Sequence, residues 1–176
     1  MQKTVIIING RGGCGKDTLC DIAGRSYKVL NFSSITPIKQ LAREAGWKGE
    51  KDPRSRKMLA DLKKILCDYN DLCTNYLLDR LDAFLESEND NEIMFAHIRE
   101  ASEIDKFKKA AEKRCRVVTL LVKRETEDYS HEALGNSSDD EVETYDYDHV
   151  FVNDAPDLTK LAKRFNSFLK KILADS

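Results

Sequence analysis

At 176 residues the chain fits the roughly 100–200 residues of one domain and is long enough to bury a core. Its 29 Lys+Arg against 31 Asp+Glu leave a net charge of −2, which argues against the global basic field of a nucleic-acid binder, and 34% charged with 41% hydrophobic residues is neither a disordered nor a fibrous composition. The opening apolar run Val5-Ile6-Ile7-Ile8 is too short for a membrane span or a signal-peptide core. Five cysteines without a Cys-x-x-Cys pair argue against a disulfide framework or zinc knuckle and point to a cytoplasmic setting.

In chain order, Thr4 to Ile8 is a β-branched run that reads as a strand buried on both faces. Glycines at 10, 12, 13 and 15 follow, and Lys16-Asp17-Thr18 opens a helix that ends near Gly24. Lys28 to Phe32 is a second strand. Thr36-Pro37 predicts a helix start with Thr36 as the capping side chain, closed by Gly46. Asp52-Pro53 repeats the start signal, and Met58, Leu59, Leu62, Ile65, Leu66 and Tyr69 mark an amphipathic helix with a basic outer face. A further helix carries Leu77, Leu81, Phe84 and Leu85.

Ile93 to Ile98 is a third strand, and Ser102-Glu103-Ile104-Asp105 resembles a capping box that opens a basic helix. Val117 to Val122 is a fourth strand and His149 to Val152 a fifth, before a last helix with Leu158, Leu161, Ala162, Phe165, Leu169 and Ile172 inside. Between these two strands, acidic 125–148 is a long excursion expected to act as a lid. The expectation is a single α/β domain over 1–176: three layers, a mainly parallel sheet with helices on both faces, and a helical insertion at about 36–88.

Gly10-Arg11-Gly12-Gly13-Cys14-Gly15-Lys16 matches G-x-x-x-x-G-K between a buried strand and a helix, the context that a phosphate-binding P-loop (Walker A) requires. Glycines let successive N–H groups wrap a phosphate, and the helix N-terminus adds positive potential. Lys16 can then reach β- and γ-phosphate oxygens of ATP. The Ser/Thr that usually follows the lysine as a Mg²⁺ ligand is here Asp17, either a Mg²⁺ ligand or a first-turn acid favoured by the helix dipole. Thr18 supplies a hydroxyl one place later. Cys14, at the loop's tip, is a candidate oxidation site or simply a small residue in a loop that needs only its backbone there.

Gly15-Lys16-Asp17-Thr18 on such a loop resembles the phage deoxynucleoside monophosphate kinases, within the adenylate-kinase-like P-loop kinases. Four more stretches are similar in order: Phe32 to Lys39, Ile98-Arg99-Glu100 with Glu103 and Ile104, Lys123-Arg124, and Asp148 to Asp154 before a Leu-rich helix. The resemblance runs from Val5 to about Phe168. It implies a five-stranded parallel sheet in order 2-3-1-4-5, ATP and Mg²⁺ on the loop, γ-phosphate transfer to a nucleoside or deoxynucleoside monophosphate, and Asn153 in a loop near adenine. The chain departs from the family at two places: the third strand ends in His97 where the family has Asp, and 125–148 contains no arginine.

Phosphoryl transfer needs cations around the transferred group. Arg99 leaves the carboxyl end of the third strand, where ligands bind in open α/β sheets, and Arg124 holds the same place on the fourth. Both are candidate catalytic residues with Lys16. Lys39, Arg54 and Arg56 are candidate clamps for an acceptor phosphate, or else part of a solvated basic face. His97 is a proton carrier or a hydrogen-bonded strand-end histidine, and no His/Cys spacing supports a further metal site. The expected partner is therefore a small phosphorylated acceptor, with neither nucleic acid nor membrane involved. Alternatives are a kinase for another phospho-metabolite, a nucleotide-binding regulator with little turnover, and an ATPase that drives a partner.

Overall fold

The computed structural model describes residues 3–87, 92–124 and 142–174. Five strands, β1 (Thr4–Asn9), β2 (Val29–Ser33), β3 (Ile93–His97), β4 (Arg116–Lys123) and β5 (His149–Val152), form one parallel sheet in the order β2-β3-β1-β4-β5. Six helices accompany them among the described residues: α1 (Lys16–Gly24), α2 (Thr36–Glu44), α3 (Pro53–Asn70), α4 (Leu72–Glu86), α5 (Ala101–Ala111) and α6 (Leu158–Ala174). None of these is long and apolar enough to cross a membrane.

The three layers follow from β1. Every residue from Thr4 to Asn9 is buried, and because successive side chains of a strand point to opposite faces, the run divides between two cores. Ile6 and Ile8 pack with α1 and α6 through Leu19, Ile22, Phe165 and Leu169. Val5 and Ile7 pack with α4 and α5 through Leu77, Leu81, Ile104 and Phe107. Burying one such side chain contributes on the order of 1.5–3 kcal/mol. The parallel register pairs Ile8 with His97, Ser33 with His97 and Asn9 with Leu121, which aligns the carboxyl ends of four strands at one edge.

Three local expectations are corrected. Thr36 does not cap α2: the helix includes it, Ile35 occupies the cap without a side-chain bond, and Pro37 is buried in the first turn. The capping box at Ser102 is not formed, because α5 already begins at Ala101 after Glu100; Glu100 and Glu103 turn instead to Lys63. Helix α3 buries none of its residues, and Ile65 and Tyr69 face outward, since it lies beside an open cleft rather than against the sheet. Its start is as expected: Asp52 accepts from the Ser55 N–H at 2.9 Å and hydroxyl at 2.8 Å, bonds that hold its carboxyl below the usual range.

Most of the expected lid, 125–141, lies outside the described residues. Its described remainder, 142–148, is anchored to the sheet. Val142 is buried, Tyr147 Oη donates to the Val142 carbonyl at 2.9 Å, and Asp148 accepts from the Thr119 N–H at 2.7 Å and hydroxyl at 2.9 Å.

Candidate active site

The glycine loop leaves β1 under close steric control. Gly10 has φ +150, and a Cβ there would stand 2.4 Å from the Val122 carbonyl oxygen and 2.7 Å from Cys14 Sγ; only glycine lets the chain turn this close to β4. Gly15, which precedes α1, has φ +95, and a Cβ would meet Asn153 Nδ2 at 2.5 Å. At Gly12 and Gly13 an added Cβ would meet nothing within 4 Å, so this side of the loop faces open volume of the kind a phosphate fills.

Lys16 lies over the loop, its Nζ donating to the carbonyls of Gly10 at 2.5 Å and Arg11 at 3.1 Å. Asp17 and Thr18 are exposed in the first turn of α1. Asp17 lines the cleft beside the loop, and Thr18 is not part of its lining. The backbone, the lysine and a carboxylate at a helix N-terminus suit a triphosphate with its divalent cation. Cys14 is not an exposed tip: its side chain is buried in the core with Leu19 and Val122.

Two asparagines, neither of which was expected in this role, hold the loop. Asn9, buried at the end of β1, accepts from the Gly10 N–H at 2.8 Å and donates to the Arg99 carbonyl at 2.9 Å and Tyr147 Oη at 2.8 Å. It thus ties the loop to β3 and to the anchored segment. A polar residue closing a buried apolar run was the available sequence signal. Asn153, expected in a loop near adenine, donates to the Cys14 carbonyl at 3.0 Å, while its N–H donates to the Lys123 carbonyl at 2.7 Å. Arg124 Nη1 reaches the Gly13 carbonyl at 3.5 Å, which places its guanidinium against the loop.

From the loop a cleft of about 1050 Å³ runs between the strand ends and helices α2, α3 and α5. Arg99, Lys39 and Arg56 line it together with Lys16 and Asp17. Arg54 is exposed in the first turn of α3 and does not line the cleft. Lys39 and Arg56 have no ion-pair partner among the described residues, whereas other lysines of the cleft do: Lys64 pairs with Asp68 at 2.7 Å and Lys106 with Asp71.

The most enclosed of these is Lys63, its side chain 12% exposed, which binds Glu100 and Glu103, the latter at 3.0 Å. Burial alone lowers an ammonium's pKa, but the two carboxylates outweigh it and raise Lys63. Burial likewise pushes both carboxyls up; Lys63 overcomes this at Glu100, which sits below the usual range, while Glu103 stays raised beside the Glu100 charge. Sequence reasoning missed this triad because Lys63 on α3 stands 37 and 40 residues in sequence from Glu100, just before α5, and Glu103 in its first turn.

His97 lies at the strand ends, 3.8 Å from Cys20 Sγ and 3.4 Å from Asn31 Oδ1. Burial pushes its imidazole below the ordinary range, against the pull of nearby Asp17. It supplies no negative charge where a carboxylate was the family pattern.

No protein-family model matches the chain, and no curated protein matches it in sequence. Solved structures do. TT1252 from Thermus thermophilus is 21% identical over 99% of this chain and 98% of its own, with a TM-score of 0.52. The tunicamycin resistance protein of Deinococcus radiodurans is 12% identical over 96% of both chains, TM-score 0.54. A candidate kinase from Chloroflexus aurantiacus is 13% identical over 97% and 98%, TM-score 0.50. Such identities speak to architecture alone: with the glycine loop between β1 and α1 and the strand order β2-β3-β1-β4-β5, they show that the chain shares the three-layer parallel α/β fold of these proteins.

Proposed function

We propose that the protein is an ATP-dependent phosphotransferase whose acceptor is a small phosphorylated molecule, a nucleoside or deoxynucleoside monophosphate. One observation carries this reading: Lys39 and Arg56, cations without ion-pair partners among the described residues, share a cleft with the phosphate loop and Arg99. Ligand pockets run to roughly 300–1000 Å³, so a cleft of about 1050 Å³ has room for an acceptor beside a triphosphate.

In this reading the amides from Gly12 to Thr18 bind the triphosphate, and Lys16 leaves the Gly10 and Arg11 carbonyls for the β- and γ-oxygens. Asp17 is the residue that would hold Mg²⁺, which would supply positive charge to the phosphates. Arg99 and Arg124 stabilise the charge on the transferred group, and Lys39 and Arg56 hold the acceptor's phosphate. Helices α2, α3 and α5 line the acceptor side. The acceptor phosphate brings its own nucleophilic oxygen, so no general base is needed and His97 is compatible with the chemistry.

The test is ADP release from Mg-ATP across a panel of nucleoside and deoxynucleoside monophosphates and small phospho-metabolites, with Lys16→Ala as the control that loses ATP binding. Turnover on none of them refutes the reading. His97 in place of a carboxylate favours a second one, a nucleotide-binding regulator. That reading predicts ATP affinity without ADP release on any acceptor.

A further inference from the structure

At the acceptor end of the cleft, Cys67 in the last turn of α3 faces Cys73 in the first turn of α4 across the corner at Asp71. Asp71 is the one non-glycine residue with positive φ (51) among those described, and this left-handed corner folds the two helices onto each other. The two sulfurs are 2.9 Å apart. Cys73 is fully buried, whereas Cys67 is only half-buried and lines the cleft. A carboxylate oxygen of Glu103 lies within 4.8 Å of both sulfurs, and Lys63, one helical turn before Cys67, holds Glu103 at 3.0 Å.

Two chemistries use such a cluster, and the spacing separates them. Tetrahedral zinc with bonds of about 2.3 Å sets its sulfurs about 3.8 Å apart, well beyond the 2.9 Å observed. The Lys63 ammonium already supplies the positive charge that Glu103 faces. A disulfide bond is about 2.05 Å long, so closing one needs less than an ångström of approach. Neither Cys14, Cys20 nor Cys115 shares a sulfur contact of this kind with another cysteine among the described residues.

We propose that Cys67 and Cys73 form a reactive thiol pair, a modification site at the acceptor end of the cleft that a small-molecule disulfide such as oxidised glutathione converts to an intramolecular disulfide. Cys67, the sulfur reachable from the cleft, attacks one sulfur of the oxidant as thiolate. The oxidant's S–S bond breaks, and the first glutathione leaves as a thiolate that takes up a proton. Cys73 then loses its proton and attacks Cys67 Sγ, which breaks the mixed disulfide and expels the second glutathione thiolate to be protonated in turn. Two protein thiols are oxidised by two electrons and one glutathione disulfide is reduced to two thiols.

The order of attack follows from the surroundings. Burial, with the hydrogen bond from Cys67, pushes the Cys73 thiol up and keeps it protonated, so Cys73 acts second, once the mixed disulfide stands 2.9 Å or less away. The proton that Cys73 releases is balanced by the one that the departing glutathione thiolate takes up.

The experiment incubates the full-length protein with oxidised glutathione at pH 8, denatures it in iodoacetamide and digests it with a protease that cuts before aspartate. Cuts at Asp61, Asp68, Asp71 and Asp79 put Cys67 in peptide 61–67 and Cys73 in peptide 71–78. The expected product is these two peptides joined by a disulfide, with Cys14, Cys20 and Cys115 alkylated. Cys73→Ser is expected to stop at a stable glutathione adduct on peptide 61–67, and Cys67→Ser to leave Cys73 unmodified. Free alkylated Cys67 and Cys73 in the wild type, or a glutathione adduct that persists on Cys67 with Cys73 intact, would overturn the proposal.

Discussion

Gly15→Ala tests whether the loop is shaped by its contact with Asn153 or by backbone conformation alone. At φ +95 an alanine pays about 1–2 kcal/mol for the left-handed region. Its Cβ would also stand 2.5 Å from Asn153 Nδ2, so the amide must leave the Cys14 carbonyl, which it now holds at 3.0 Å, at about 0.5–1.5 kcal/mol for the lost bond. The sum is about 1.5–3.5 kcal/mol, a fall in melting temperature of roughly 3–14 °C for a chain of this size. The two parts separate in a double-mutant cycle with Asn153→Ala, followed by guanidinium unfolding. Once the amide is gone, Gly15→Ala is expected to cost only the backbone part, so the double variant is more stable than the sum of the singles predicts, by about 0.5–1.5 kcal/mol. Additivity within about 0.3 kcal/mol would refute the claim that Asn153 is what makes this position glycine. Gly10→Ala is expected to be worse than Gly15→Ala, because its Cβ meets the Val122 backbone carbonyl at 2.4 Å, which cannot rotate away.

Other outcomes follow from the same geometry. Lys63→Ala strands Glu100 and the nearly buried Glu103 without their cation and is expected to destabilise by about 3–5 kcal/mol; pairing Lys63→Met with Glu103→Gln should recover part of it, read by urea unfolding. Asp148 is pushed up by burial, but the Thr119 bonds and Lys108 outweigh this and hold it below the usual range. Its contribution to stability is therefore full above its unfolded value of about 3.9 and lost as pH falls through the lower folded one; Asp148→Ala should flatten that acid limb and cost about 1–3 kcal/mol at neutral pH for the stranded Thr119 groups. His97 shows the same sign near neutrality: depressed by burial, it opposes unfolding above its ordinary value near 6.5 and less as pH falls below that, a slope that His97→Gln removes in melts from pH 7.5 to 5. If the proposed phosphotransfer holds, Arg124→Ala should lower ADP release by about 10³-fold or more while ATP affinity changes little.

The parts legible in the sequence were those whose cause is local. The glycine loop, its strand and its helix occupy one contiguous stretch, and the φ values at Gly10 and Gly15 match the residue types there. The continuous β-branched run of β1 announced two buried faces, and both exist. Helix α3 misled for the same reason: its apolar spacing reads as a core face, yet what lies opposite is a cleft, so Leu59 and Cys67 line open space and Ile65 is 64% exposed.

The sequence by itself determined the phosphate loop and, through the β1 run and the alternation of strands with helices, a layered parallel sheet, because backbone conformation and burial period are written within a few residues. Only the tertiary structure decided that Asn153 bonds the phosphate loop, that Lys63 is committed to two carboxylates while Lys39 and Arg56 face the cleft, and that Cys67 meets Cys73. Those contacts depend on where separate elements come to rest. The Asn153 bond spans 139 residues and the Lys63 pairs span 37 and 40, and no local pattern encodes which side chains will meet at such separations.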